Sequence, residues 1–269
     1  MKIDLHTHTT YSDGDLDING NVKRASELGL DGIAITDHDN IDSWNEIDQN
    51  KYPILVIKGV ELSTYYKGAS VHVLGYYLND GGDYSELDST LREIRKDRIE
   101  RLDKIISLLK PLGIIITKEE VFKEADGAVA RPHIAKAIMK KYPEKNLTID
   151  DVFDNYIGNR APAYVPVNDF QTEAAIELLK KNHCLVVIAH PLFIEKIDYH
   201  ELLKLDIDGI EGFYFYSTET DDEVVKTAEE LGLVVTGGSD YHGPITRDTI
   251  GKSYLEKDKA KTFLKRINI

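Results

Sequence analysis

Apolar and polar positions along the chain follow two different periods. At the start, short apolar runs alternate with helical stretches. Ile3–Leu5, Gly32–Thr36, Ile54–Ile57 and Ser70–Leu78 read as strands, several of them apolar on both faces as in a buried parallel sheet. Val60-Glu61-Leu62-Ser63 continues the direction of the third. Asn21–Leu28 reads as a helix ended by Gly29, and a short helix falls around Asp42–Asp48. From Tyr84 the period changes. Leu87, Leu91, Ile94, Ile99, Leu102, Ile105, Ile106 and Leu109 recur every three or four positions, which predicts one long charged helix stopped by Pro111 and Gly113. Further helices are predicted over Lys118–Ala125, Pro132–Lys140 and Ile149–Ile157, with no strong strand among them. The alternation then resumes, with helix Gln171–Lys181, strands Leu185–Ala189 and Gly209–Phe215, helix Thr220–Leu231, strand Leu233–Thr236 and a last helix Lys257–Arg266.

Repeated strand–helix units in one domain of this size predict an α/β fold with a parallel barrel. The strand-free stretch reads as a helical insertion. The expected organisation is therefore a barrel from residues 1–85 and 166–269, interrupted by an insertion over 86–165. The helix Tyr84–Leu109 reads as a solvated scaffold that could also pack on a second subunit.

Composition narrows the setting. Hydrophobic residues make up 42% of the 269 positions, enough for a sizeable core. No run approaches the roughly 18 apolar residues of a membrane span, and no apolar signal region opens the chain. Cys184 is the only cysteine, so no internal disulfide can form, and the expected location is the cytoplasm. The net charge of −14 argues against coating duplex nucleic acid through a basic surface. A small anionic substrate stays open, because bound metal ions can make one pocket positive.

The chemistry-bearing residues gather at strand ends, where a barrel places its active site. His6-Thr7-His8 puts two imidazoles on one face of a strand, about 7 Å apart. Taken alone, that pair is equally well explained as two surface histidines. Ser12-Asp13-Gly14 follows, then Thr36-Asp37-His38-Asp39, Glu61, His72, Ala189-His190-Pro191 and Gly238-Ser239-Asp240-Tyr241-His242-Gly243. Imidazole with carboxylate suits manganese, iron or zinc. The nine candidates His6, His8, Asp13, His38, Glu61, His72, His190, Asp240 and His242 exceed what one ion needs, so two or three divalent ions are expected. Asp37 and Asp39 either orient a neighbouring ligand or serve a turn.

These ordered motifs, with Gly59-Val60-Glu61-Leu62-Ser63 and His72-Val73-Leu74-Gly75-Tyr76, resemble the PHP (polymerase and histidinol phosphatase) family of metallophosphoesterases over nearly the whole chain. Arg131-Pro132-His133-Ile134-Ala135 and Phe153-Asp154-Asn155-Tyr156-Ile157-Gly158, leading to Pro162-Ala163-Tyr164-Val165-Pro166, are similar to its TrpH-like subgroup. The resemblance implies a distorted (β/α)7 barrel with a helical insertion that forms part of the substrate site. It also implies hydrolysis of nucleotide-type phosphomonoesters, such as a nucleoside 3′,5′-bisphosphate, or trimming of short RNA from the 5′ end, by a metal-bound hydroxide. It assigns His6, His8, Glu61 and Asp240 to a first ion. Glu61, His72 and His190 go to a second, and Asp13, His38 and His242 to a third. Arg131 and His133 become candidate catalytic and phosphate-binding residues, with Arg160 a further candidate cation. His133 would orient the phosphate or protonate the leaving oxygen. Histidinol-phosphate phosphatase is the alternative within the family, and a non-catalytic metal-binding module the alternative outside enzymes.

Other residues have plainer readings. His183 and His200 match no motif. Cys184 suits a core position. Phe213-Tyr214-Phe215-Tyr216, after Glu211, is better explained by strand packing than by base stacking. The family's corresponding segment has less aromatic crowding.

Overall fold

The computed structural model describes all residues except 126–128, 130, 167–169, 215–220 and 245–247, and only the backbone of 221 and 222. Among the described residues eight strands form one sheet: β1 (Lys2–Thr7), β2 (Gly32–Ile35), β3 (Leu55–Tyr66), β4 (Ala69–Tyr77), β5 (Cys184–Ile188), β6 (Gly209–Tyr214), β7 (Val234–Gly238) and β8 (Leu255–Glu256). Their order is β7-β6-β5-β4-β3-β2-β1-β8. The sheet curls until its ends nearly meet. Thr7 bridges Tyr241 in parallel, the His8 amide donates to the Tyr241 carbonyl at 2.8 Å, and the Tyr241 amide donates to the His6 carbonyl at 3.3 Å. The result is the expected α/β barrel, nearly closed.

Two strands depart from the parallel reading. β4 runs antiparallel to both β3 and β5, and β8 antiparallel to β1. β3 and β4 are joined only by Lys67 and Gly68, at φ 49° and 80°. A two-residue turn of that hand makes a hairpin, whereas a parallel crossover needs a dozen residues or more.

The helices are α1 (Ile18–Glu27), α2 (Ser85–Leu109), α3 (Lys118–Phe122), α4 (Arg131–Lys141), α5 (Ile149–Val152), α6 (Thr172–Lys181), α7 (Asp221–Glu230) and α8 (Lys257–Arg266). α1 begins earlier than its apolar stripe because Asp17 caps it, accepting from the Gly20 amide. The helix read at Asp42 is a single 3₁₀ turn, Asp42–Asn45. The helix read over Ile149–Ile157 is α5 continued by a π-helical turn, Phe153–Ile157. Phe215, read as the last residue of β6, and Thr220, read as the first of α7, lie outside the described residues. No helix among them is long and apolar enough to cross a membrane.

Separate apolar clusters hold the parts. Ile3, Leu5, Ala34, Ile57, Leu74 and Val187 of the strands pack on Phe263 and Leu264 of α8. β2 packs on α1 through Ile33, Ile35, Val22 and Ala25. β3, β4 and β5 pack on α6 and on the start of α2, where Leu87 and Leu91 are buried. The second half of α2 belongs elsewhere: Leu102, Ile105, Ile106 and Leu109 form a core with Ile134, Ile138, Val152 and Ile157. α2 thus joins two cores. Ile99, read as part of its apolar stripe, is 40% exposed, since the stripe is interrupted where one core gives way to the other.

Candidate metal centre and substrate pocket

All nine candidate ligands come from one end of the barrel. His6 lies in β1, His8 just after it and Asp13 in the loop before α1, His38 follows β2, Glu61 lies in β3 and His72 in β4, His190 follows β5, and Asp240 and His242 follow β7. Asp39, His190 and Asp240 are held at positive φ (45°, 28° and 50°), a strained conformation that the surrounding fold must impose. Gly238 lets β7 reach β1: a Cβ there would sit 2.3 Å from that of His6. This contact places Asp240 beside the first two histidines.

Glu61 is the centre of the cluster. Its Oε2 lies 3.2 Å from His6 Nε2, 3.2 Å from His8 Nε2 and 3.0 Å from His38 Nδ1. Its Oε1 lies 2.8 Å from His72 Nδ1 and 3.1 Å from His190 Nε2. Asp240 Oδ1 is 3.4 Å from His6 Nε2 and 3.3 Å from His8 Nε2. On the other side Asp13 faces His8, His38 and His242 at 3.7, 3.8 and 3.4 Å. The rings of His8 and His242 stack at 4.1 Å. Three groups of ligand atoms each converge: His6, His8, Glu61 and Asp240; His8, Asp13, His38 and His242; and His38, Glu61 and His72. His8, His38 and Glu61 therefore each stand between two groups.

The residues present fit divalent ions. His6 Nε2, both ring nitrogens of His8, Asp13 Oδ1, His38 Nδ1, Glu61 Oε2 and His190 Nδ1 are buried and make no hydrogen bond, although several lie within 3.2 Å of one another. Leaving such atoms unsatisfied costs about 1–3 kcal/mol each, a cost that coordination would remove. Nitrogen and oxygen donors without thiolate suit manganese, iron or zinc.

A surrounding layer holds these ligands; Asp37 and Asp39 of this layer carry a candidate orienting role in the sequence, whereas Glu211 and Asp4 carry none. Glu211 faces His6 Nδ1 at 3.2 Å through Oε1 and accepts from the His190 amide at 2.8 Å through Oε2. Asp37 accepts from the Thr9 amide and hydroxyl and from the Ser12 hydroxyl, which holds the loop that carries Asp13. Asp4 accepts from the Ser239 amide at 2.9 Å. Burial pushes the Asp4 carboxyl up to about 6. Asp39 is fully buried, accepts from the Ser63 amide and pairs with Arg98.

The cations form the other wall. His133 is buried on α4. Burial, aided by Lys136 and Arg98, brings its imidazole down to about 4 although Asp13 acts the other way. Arg131 donates to Asn159 Oδ1 at 2.8 Å, with its guanidinium over the rings of Phe153 and Tyr164. Arg160 is exposed and makes no ion pair among the described residues. Two further arginines come from α2, which is not the wholly solvated scaffold expected. Arg98 has a side chain only 9% exposed and donates to Ser63 Oγ at 2.9 Å. Arg101 donates to the Val165 carbonyl at 2.7 Å. Burial, with repulsion from Arg101 on Arg98 and from Arg131 on Arg101, brings both guanidiniums down to about 10. Cys184 is a buried core residue, as read. His183 and His200 lie apart from the centre, beside Asp80 and Asp198. Tyr214 packs on Phe193, whereas Phe215 and Tyr216 lie outside the described residues.

Comparison with known proteins follows the same lines. The PHP domain family matches residues 4–268. The chain is 30% identical over 94% of its length to a 5′-3′ exoribonuclease of Haemophilus influenzae, also covering 94% of that protein. It is 28% identical to a phosphoribosyl 1,2-cyclic phosphate 1,2-diphosphodiesterase of Eggerthella lenta (92% of this chain, 96% of the relative). It is also 28% identical to a 3′,5′-nucleoside bisphosphate phosphatase of Chromobacterium violaceum (90% and 88%). A crystal structure from Bifidobacterium adolescentis, assigned as a metal-dependent phosphoesterase, superposes with a TM-score of 0.86 at 25% identity, over 98% of this chain and 96% of that one. With the family spanning nearly every residue and its ligand-bearing loops gathered around Glu61, the chain belongs to the PHP family and is a metal-dependent phosphoesterase.

Proposed function

We propose that the protein hydrolyses nucleotide-type phosphomonoesters, a nucleoside 3′,5′-bisphosphate foremost, with 5′-end trimming of short oligoribonucleotides as a related use. The observation that carries the reading is Glu61, whose two oxygens meet five imidazoles beside a wall of arginines. His6, His8, Glu61 and Asp240 would hold a first ion. Glu61, His72 and His190 would hold a second, and Asp13, His38 and His242, with His8 alongside, a third. Manganese, iron or zinc bound there would polarise a phosphoryl oxygen and lower the pKa of water.

The chain's own residues do the rest. Glu211 holds His6 through Nδ1, which leaves Nε2 to face Glu61. His133, kept neutral by its burial, can donate a ring N–H to a phosphoryl oxygen. An anion bound beside it would raise its pKa and so allow it to protonate the leaving oxygen. Arg131 offers a planar fork that matches phosphate oxygens, and the exposed Arg160 is a further candidate cation from the same segment. The helical segment 86–165 thereby supplies part of the substrate site. The single buried cysteine fits a reducing, cytoplasmic setting.

A manganese-supplemented screen of nucleoside 3′,5′-bisphosphates, histidinol phosphate and short 5′-phosphorylated RNA tests this reading. Fastest phosphate release from the bisphosphate is expected. Preference for histidinol phosphate would reject the nucleotide assignment. In the same assay Asp13→Asn should lower both the bound-metal stoichiometry and turnover. An unchanged metal count would reject Asp13 as a ligand.

A further inference from the structure

Helix α4 carries Arg131 and His133, so whatever fixes it over the ligand cluster bears on the reaction. One side of α4 faces into the helical segment, where Ile134 and Ile138 share a core with Leu102 and Ile105 of α2. That core sets α4 relative to α2 and leaves its tie to the barrel to other contacts. Lys136 supplies one. Its Nζ donates to Asp15 Oδ1 at 3.1 Å, and the two side chains are only 19% and 8% exposed. Among the described residues this is the one ion pair between the barrel and the helices that follow α2.

Asp15 stands where two ligand-bearing loops cross. It follows Asp13 by two positions, and its amide donates to the His242 carbonyl at 2.8 Å. Gly243 runs close against it: a Cβ at 243 would sit 2.3 Å from that of Asp15. Lys136 lies three positions beyond His133, and residues at that spacing are neighbours on a helix surface, about 5–6 Å apart. The pair therefore joins the part of α4 that carries His133 to the loops that carry Asp13 and His242. Burying two charges brings little net stability, and its best-attested use is to fix register.

We propose that Lys136 is a positioning residue: by gripping Asp15 it sets the register of α4 on the barrel mouth and so holds His133 against the leaving oxygen of a substrate bound at the ligand cluster. When the bond from phosphorus to that oxygen breaks, its electron pair stays on the oxygen and the ring proton of His133 joins it. The proposal rests on the reading of His133 as proton donor and is independent of the nucleotide. A displacement of about 1 Å can cost roughly 100-fold in rate, so loss of the tie should cost turnover. The apolar core of the segment is untouched by a change at 136, so the variants should fold.

The test compares two substrates of the manganese-loaded enzyme. One is the alkyl ester favoured in the screen above, whose leaving oxygen needs a proton. The other is p-nitrophenyl phosphate, whose phenolate departs without one. Lys136→Met should lower kcat on the alkyl ester at least tenfold. Its kcat on p-nitrophenyl phosphate, both KM values and the bound manganese should stay within threefold of wild type. Lys136→Arg, which keeps the charge and the reach, should restore kcat to within threefold. His133→Gln should show the same contrast between substrates. Asp15→Asn combined with Lys136→Met should be no better than Lys136→Met alone. Equal losses on both substrates, or no loss, overturn the proposal. So does recovery in the double variant, which would assign the effect to a stranded charge. A higher KM for both substrates at unchanged kcat also overturns it, since Lys136 would then touch the phosphate itself. If His133→Gln shows no contrast, the proton-donor reading fails and takes the proposal with it. A contrast in His133→Gln but not in Lys136→Met overturns the proposal alone.

Discussion

Glu61 and Glu211 are both fully buried acids in apolar strands, yet they face different things. Glu61 turns both oxygens to imidazole nitrogens at the centre of the cluster. Glu211 turns one to the far side of His6 and the other to the His190 amide. A carboxylate behind a ligating histidine fixes its tautomer and raises its basicity, and losing one typically costs 10–100-fold in metal affinity. Glu211→Gln keeps the shape, removes the charge and turns an N–H donor toward either His6 or the His190 amide. Manganese affinity should fall by about 10–100-fold in competition with a chromogenic chelator. An affinity within threefold of wild type would show that Glu211 does not tune the site. The amino-acid sequence marks Glu211 only as an isolated acid in Gly209-Ile210-Glu211-Gly212. Its meeting with His6, 205 positions earlier, is created by barrel closure and has no local signature. The nine candidate ligands were legible because each lies in a short motif of its own in the sequence.

Elements were legible where one apolar face serves one core. α2 runs from Ser85 to Leu109, close to the predicted span, and both ends of its stripe are buried as expected. Its middle was misread because the helix passes from the barrel core to the core of the helical segment, and at the joint its buried side carries Arg95 and Arg98 in place of aliphatic residues. Arg95 donates to the Asp39 carbonyl at 2.9 Å, and Arg98 pairs with the Asp39 carboxylate. Periodicity cannot distinguish such a side chain from a solvated one, since arginine is ordinarily outside. The pair has a mechanical consequence. Removing one partner of a buried ion pair leaves an uncompensated charge and costs about 3–5 kcal/mol. Arg98→Met should show a loss of that order in chemical denaturation. Asp39→Asn combined with Arg98→Met should recover part of it, because no charge is then stranded and asparagine tolerates the positive φ at 39. Additive losses in the double variant would rule the pair out as the tie between α2 and the barrel mouth.

At the scale of the whole molecule the cluster draws ligands from β1, β3 and β4 and from the ends of β2, β5 and β7, so ions bound there would join most of the barrel. Binding to the folded state alone stabilises it by RT ln(1 + [L]/Kd), about 2.7 kcal/mol at a hundredfold excess over Kd. The dependence on pH is set by what the ions displace. Without metal, burial opposes charge on His8, but Asp240 and Glu61 more than offset it and raise the imidazole to about 10. His6 and His190 are raised in the same way, by Glu61 above all. A histidine whose folded pKa lies above its unfolded value of about 6.5 gives stability that is complete below 6.5 and lost as pH climbs through the folded value. The metal-free protein should therefore lose stability from pH 6.5 toward 10. Ions must expel those protons, so their stabilising effect should grow over the same interval. Thermal melts of chelator-treated protein at pH 6.5, 7.5 and 8.5, with and without manganese, test both signs. The metal-free Tm should fall and the manganese-induced increase should widen. An increase that is absent, or the same at all three values, would mean that these histidines do not exchange protons for metal.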